Sequence, residues 1–188
     1  MMPEDAKYIK KAVDWNKVFS LLAALQKDKF NEKTMRFVKS DIVSAGIEQY
    51  SNGKFKYVDQ TGCDFILPKK KLRVELKCGE CMFPRRIDYT RSIRVYNSHG
   101  THDGTLPHTF DYLLIVEPGK AGIISYDALL PFIVNVSDGK NARIHMDKID
   151  IIAENKDFKR TSLSLESAYN GMVAQTLESF QLNYESDK

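Results

Sequence analysis

Residues 62–77 read GCDFILPKKKLRVELK, and the fold turns on how these positions are assigned. Thr61-Gly62 breaks the chain, and Asp64-Phe65-Ile66-Leu67 predicts a short strand. Pro68 and the run Lys69, Lys70, Lys71 form a turn, after which Leu72 to Cys78 alternates as a further strand. Strand side chains point alternately to the two faces, so Glu75 and Lys77 share one face while Leu76 turns to the core. If the two strands are antiparallel neighbours, Asp64 lies beside Glu75. Upstream, Lys54 to Asp59 alternates around Phe55, Tyr57 and Val58, which makes a meander of three strands.

Further upstream the period changes. Asp14 to Asp28 is apolar at Trp15, Val18, Phe19, Leu21, Leu22 and Leu25, a helical spacing that follows an Asp cap. Asn31 caps a second helix to about Tyr50, and Asn52-Gly53 marks a turn. Downstream of Pro84 the pattern weakens, and residues 97–107 read as a polar loop. Phe110 to Val116 is apolar except at Asp111, as in a buried central strand, and Ala121 to Tyr126 pairs with it as a hairpin. Asp127 is the expected cap of a helix at Ala128-Leu129-Leu130. Segments near Ile144 and over Ile149 to Ile152 are ambiguous, and Ser164 to Leu182 has helical spacing. The expected class is α/β, a central mixed β-sheet flanked by helices in one domain over 1–188, with its core at about 31–130 and a C-terminal helix at about 164–182.

A length of 188 residues accommodates one well-filled domain. The apolar runs Leu21 to Leu25 and Tyr112 to Val116 are too short to cross a bilayer. The start, MMPEDAKYIKK, does not read as a signal peptide, and three cysteines suit a reducing compartment. These features lead us to expect a soluble cytoplasmic chain. Net charge is +3, yet Lys69 to Arg94 alone holds nine basic residues against Glu75, Glu80 and Asp88. So concentrated a basic stretch in a nearly neutral chain points to a polyanion at one face.

Two converging carboxylates with a backbone carbonyl nearby form a hard-oxygen site suited to Mg²⁺ rather than zinc. Lys77 beside them orients or helps deprotonate a water and balances charge. The stretch GCDFILPKKKLRVELK resembles the signature of the PD-(D/E)xK nuclease superfamily, to which many restriction endonucleases belong, with Asp64 as first acid, Glu75 as second and Lys77 as the lysine. Cys63 stands where that signature often has Pro. The resemblance implies a restriction-endonuclease-like core of helix, three-stranded meander and buried strand, with a helix between the third and fourth strands. It also implies Mg²⁺-dependent hydrolysis of double-stranded DNA that leaves 5′-phosphate and 3′-hydroxyl ends. Many members add an acid from the first helix. Glu48 is favoured here as a catalytic and metal-binding residue because it ends the helix nearest the strands, and Asp41 shares its face.

Size and motif together resemble the small cleavage subunit of a heterodimeric type IIS restriction endonuclease. That likeness implies a bacterial source and a larger subunit that recognises the target and nicks the other strand. A homodimeric restriction enzyme or a junction resolvase would keep the chemistry and carry its own recognition. A non-catalytic DNA-binding module, or an exposed ion pair of Glu75 with Lys77 on a solvated face, would leave the acids without a catalytic role. Lys69, Lys70, Lys71, Arg85, Arg86, Arg91 and Arg94 are the expected DNA contacts, and a solvated basic surface is the alternative for them. Cys78 and Cys81 allow redox or zinc readings, though ordinary cysteines fit better. His99, His102 and His108 sit in the polar loop as phosphate or metal candidates.

Overall fold

Three helices begin the chain. The computed structural model describes residues 3–27, 32–60, 62–79, 82–83, 90–97, 108–136, 139–156 and 158. Helix α1 (Glu4–Ala12) has Glu4 and Asp5 in its first turn and Lys10 and Lys11 in its last, each matching the helix dipole, and it buries Ala6, Ile9 and Ala12. This helix was not foreseen from the sequence. Helix α2 (Trp15–Lys27) starts after Asp14, whose carboxylate accepts from the Lys17 N–H at 3.4 Å. The Trp15 indole donates to the Lys10 carbonyl at 3.0 Å and ties the two helices together. Helix α3 (Glu32–Tyr50) packs on α2 so closely that a Cβ on Gly46 would stand 2.5 Å from Leu21 Cδ2. The α3 helix stops at Ser51, whose hydroxyl donates to the Glu48 carbonyl at 2.7 Å and accepts from the Phe55 N–H at 3.0 Å.

The main sheet has six strands: β1 (Lys56–Gln60), β2 (Cys63–Leu67), β3 (Leu72–Cys78), β5 (Tyr112–Glu117), β6 (Lys120–Ser125) and β9 (Asp150–Glu154), in that spatial order. Strands β1, β2 and β3 form the antiparallel meander, β3 and β5 run parallel, and β6 and β9 continue antiparallel. The sheet thus takes in a strand beyond residue 130, and α1 and α2 precede residue 31. The second sheet has three strands, β4 (Thr90–Asn97), β8 (Gly139–His145) and β7 (Ile133–Val136), ordered β4-β8-β7. Where the resemblance implies a helix between the third and fourth strands, the described residues of that connection include the strand β4. Its sequence, TRSIRVYN, is rich in β-branched residues, which suit a pleated surface better than a helix.

Alternation divides the core into two layers. Phe65, Leu67, Val74, Leu76, Leu114, Val116, Ala121 and Ile123 pack against Ile9, Phe19, Leu22, Val43 and Ile47 of the helices. On the other face, Leu113, Ile115 and Ile124 meet Ile93 of β4, Ile144 of β8, Phe83 and Phe110. A parallel neighbour needs a crossover connection, and here β4 belongs to that crossover on the second face. Gly122 admits the layer closely, since a Cβ there would stand 2.5 Å from Ile149 Cγ2 and 2.8 Å from Phe83 Cε1. The short helix α4 (Tyr126–Leu129) is capped by Ser125, whose hydroxyl accepts from the Ala128 N–H at 3.3 Å. Asp127, expected as the cap, lies in its first turn instead. The architecture is α/β with a mixed sheet flanked by helices. Among the described residues no helix is long and apolar enough to cross a membrane. The C-terminal segment over 164–182 lies outside the described residues.

Candidate active site

The β2–β3 register sets Phe65 opposite Val74 and Ile66 opposite Arg73. Carried one step further, it brings Asp64 opposite Glu75. Because Phe65, Val74 and Leu76 face the helices, Asp64, Glu75 and Lys77 fall on the second face. Asp64 Oδ2 accepts from the Leu76 N–H at 2.6 Å, which fixes the carboxylate against the neighbouring strand. The Lys77 ammonium pairs with Glu75 Oε1. On the adjoining strand β5, Leu113 stands beside Glu75 and Ile115 beside Lys77, so the acid rests against apolar side chains.

Burial decides the electrostatics. The Glu75 side chain is 8% exposed and that of Lys77 is 29% exposed. Burial pushes the Glu75 carboxyl up to about 7, and the charge and hydrogen bond of Asp64 push the same way, while Lys77 opposes them. One ammonium does not offset both the desolvation and the second carboxylate. Near neutral pH the acid pair therefore holds a proton part of the time, as two crowded carboxyls do. So buried an acid does not fit the alternative of a fully solvated ion pair.

This arrangement meets the donor chemistry expected for Mg²⁺, which is bound through one or two carboxylates and completes its shell with water and phosphate oxygens. Asp64 and Glu75 are the residues that would hold it. Among the described residues no cluster of three or more His, Cys, Asp or Glu side chains is arranged for a metal ion. Glu48 is half-buried on α3, in the layer covering Val74 and Leu76, and Glu75 points to the opposite face. Asp41 is exposed on α3 and accepts from the Tyr57 hydroxyl at 3.5 Å.

The same face carries a second polar group that the sequence hinted at only through the lone acid in the apolar run 110–116. Asp111 Oδ2 accepts from the Arg73 backbone N–H at 2.7 Å and from Arg73 Nε at 3.3 Å, and Oδ1 accepts from an Arg73 terminal nitrogen at 3.0 Å. The Asp111 N–H returns a bond to the Arg73 carbonyl at 2.9 Å. This clamp joins the entrances of β3 and β5, two residues before Glu75. His108 stacks on Tyr126 with ring centroids 4.3 Å apart and lies 3.4 Å from Asp111 Oδ1.

The expected DNA contacts separate. Lys69, Lys70 and Lys71 are exposed in the β2–β3 turn, but Lys70 pairs with Asp5 of α1 at 3.3 Å and lies over the Tyr8 ring. Arg91 and Arg94 belong to β4, and their side chains lie outside the described residues, as do Arg85 and Arg86 entirely. His99, His102 and Cys81 are likewise outside them. Cys63 is buried, its Sγ 3.2 Å from the Phe65 carbonyl, and burial pushes its thiol up; Cys78 packs toward the helix-covered core. Comparison with protein-family models, curated proteins and solved structures yields no match.

Proposed function

We propose that the chain is a Mg²⁺-dependent endonuclease that hydrolyses one strand of double-stranded DNA, acting as the smaller subunit beside a larger recognition and nicking subunit. One observation carries this reading: two carboxylates, Asp64 and Glu75, crowd at one point on adjacent strands with the Lys77 ammonium against them. Crowding that raises the affinity for a proton also favours a divalent cation, which compensates both charges at once. The order of helix, three-stranded meander and then a buried strand beside the third also supports it. The reading implies a bacterial cytoplasmic protein.

When bound, Mg²⁺ supplies charge neutralisation at a phosphate oxygen and acidifies a water. The chain's own residues do the rest. The Leu76 N–H holds the Asp64 carboxylate in place, so that it does not swing to solvent. Glu75, once deprotonated, presents its oxygens beside Asp64 from an apolar floor that weakens solvent screening. Lys77 Nζ, less buried than the acid it pairs with, orients the attacking water and offsets charge that gathers on the phosphate.

The test is a supercoiled-plasmid nicking assay with Mg²⁺ or EDTA, run with the chain alone and with a larger partner. Mg²⁺-dependent nicks bearing 5′-phosphates support the reading. Plasmid left intact under every divalent ion and partner condition rejects it.

A further inference from the structure

The turn Pro68 to Lys71 closes the β2–β3 hairpin, with the Lys70 N–H bonded to the Leu67 carbonyl at 3.1 Å. Its last residue, Lys71, has φ +54°, the left-handed region that glycine or asparagine adopts more readily. Among the described residues the other non-glycine in that region is Asn52, in an Asn-Gly turn. A lysine therefore occupies a position that favours another residue type, which directs attention to its side chain. Lys70 is not directed outward in the same way: it braces the turn against α1 through Asp5 and Tyr8. Glu4 pairs with Lys7 at 2.6 Å, so both acids of α1 are engaged with lysines. Lys10, Lys11, Lys69 and Lys71 are exposed, and among the described residues none has an ion-pair partner.

We infer that this bracing of α1 on the hairpin turn builds a cationic platform, Lys11, Lys69 and Lys71, that holds duplex DNA by its phosphates without reading sequence. The inference rests on the nuclease reading above for its choice of polyanion. It adds α1 to the contact surface and gives Lys70 the role of brace. From Leu72 to Glu75 is three strand steps, about 10 Å, or about three nucleotide steps of a DNA strand. A duplex lying across the acid pair thus meets Lys69 and Lys71 of the turn first, while α1 lies in the layer on the other face of the sheet. Such a contact needs no cation, because lysines bind phosphate by displacing condensed counterions.

Fluorescence anisotropy of the full chain with a labelled 20-base-pair duplex in EDTA, between 50 and 200 mM salt, tests the platform. Lys11→Gln, Lys69→Gln and Lys71→Gly should each flatten the logarithmic salt dependence by about 0.9, making the fall in affinity across that range about threefold smaller. Lys71→Gly should do so with a melting temperature at or above that of the wild type, which separates lost contact from lost fold. Lys148→Gln, an exposed lysine paired with Asp147 outside the platform, should leave the slope unchanged. Unchanged slopes in the three platform variants overturn the inference, as does an equal loss in Lys148→Gln. So does lysine-dependent binding to phosphatidylglycerol vesicles with none to the duplex. Binding as expected with no nicking in Mg²⁺ keeps the platform and removes the nuclease. Nicking with unaltered slopes does the reverse.

Discussion

Replacing Glu75 by Gln removes one charge and almost no volume, and its consequence follows from the burial of that side chain. The carboxyl is raised from 4.5 to about 7 in the folded protein, so between those values the native state binds a proton that the unfolded chain has released. Stability is then complete below pH 4.5, falls as pH rises through 7, and stays lower above it. The difference amounts to about 3 kcal/mol, or about 6–12 °C in melting temperature for a domain of this size. Protonated Glu and Gln are near isosteres, so the variant should match the wild type at pH 4.5. It should exceed the wild type by about 3 kcal/mol at pH 8, with the falling limb absent. Mg²⁺ should raise the melting temperature of the wild type at pH 8 and leave that of the variant unmoved. Urea or thermal unfolding followed by circular dichroism from pH 4.5 to 8 provides the readout. Parallel pH profiles for the two proteins would show that Glu75 does not meet Asp64 in a dry setting, and the electrostatic argument would fail with them.

Three further outcomes are expected. Lys77→Ala should abolish strand cleavage while duplex binding in EDTA stays within twofold of the wild type; undiminished nicking would remove Lys77 from the chemistry. Asp111→Ala should cost about 2–3 kcal/mol in urea unfolding, because Arg73 loses the partner that joins β3 to β5; a change below about 0.5 kcal/mol would show that the clamp is not structural. Gly122→Ala should destabilise by about 1–3 kcal/mol, since its methyl would press on Ile149 and Phe83. A melting temperature equal to the wild type would mean that those side chains yield freely.

The strands that build the site were legible because their pattern is local. Period-two alternation from Leu72 to Cys78, a proline-lysine turn and the preceding strand are enough to place Asp64 near Glu75. The apolar run ending at Val116 shows its burial by composition alone. Other parts carry weaker signals. Helix α1 buries two alanines and one isoleucine, so its apolar stripe is thin beside its lysines. Strand β4 has arginines interleaved with its β-branched residues, which blurs its pattern, and its partner β8 lies more than forty residues further along the chain. The Arg73–Asp111 clamp joins residues 38 positions apart, and nothing local announces such a pairing. The pairing of Glu75 with Lys77 was visible, but the depth of Glu75 was not, since its floor comes from Leu113 and Ile115 on a distant strand.

Calorimetric titration of the full chain with Mg²⁺ at pH 7, in two buffers of different ionisation enthalpy, tests whether the acid pair binds a cation, without needing DNA or a partner. Binding should release about half a proton per ion, because a carboxyl near pH 7 is half protonated there, and the heat should vanish in Asp64→Asn. Saturation by Mg²⁺ that persists in Asp64→Asn and releases no proton, or an absence of binding at millimolar Mg²⁺, would refute the proposed metal site.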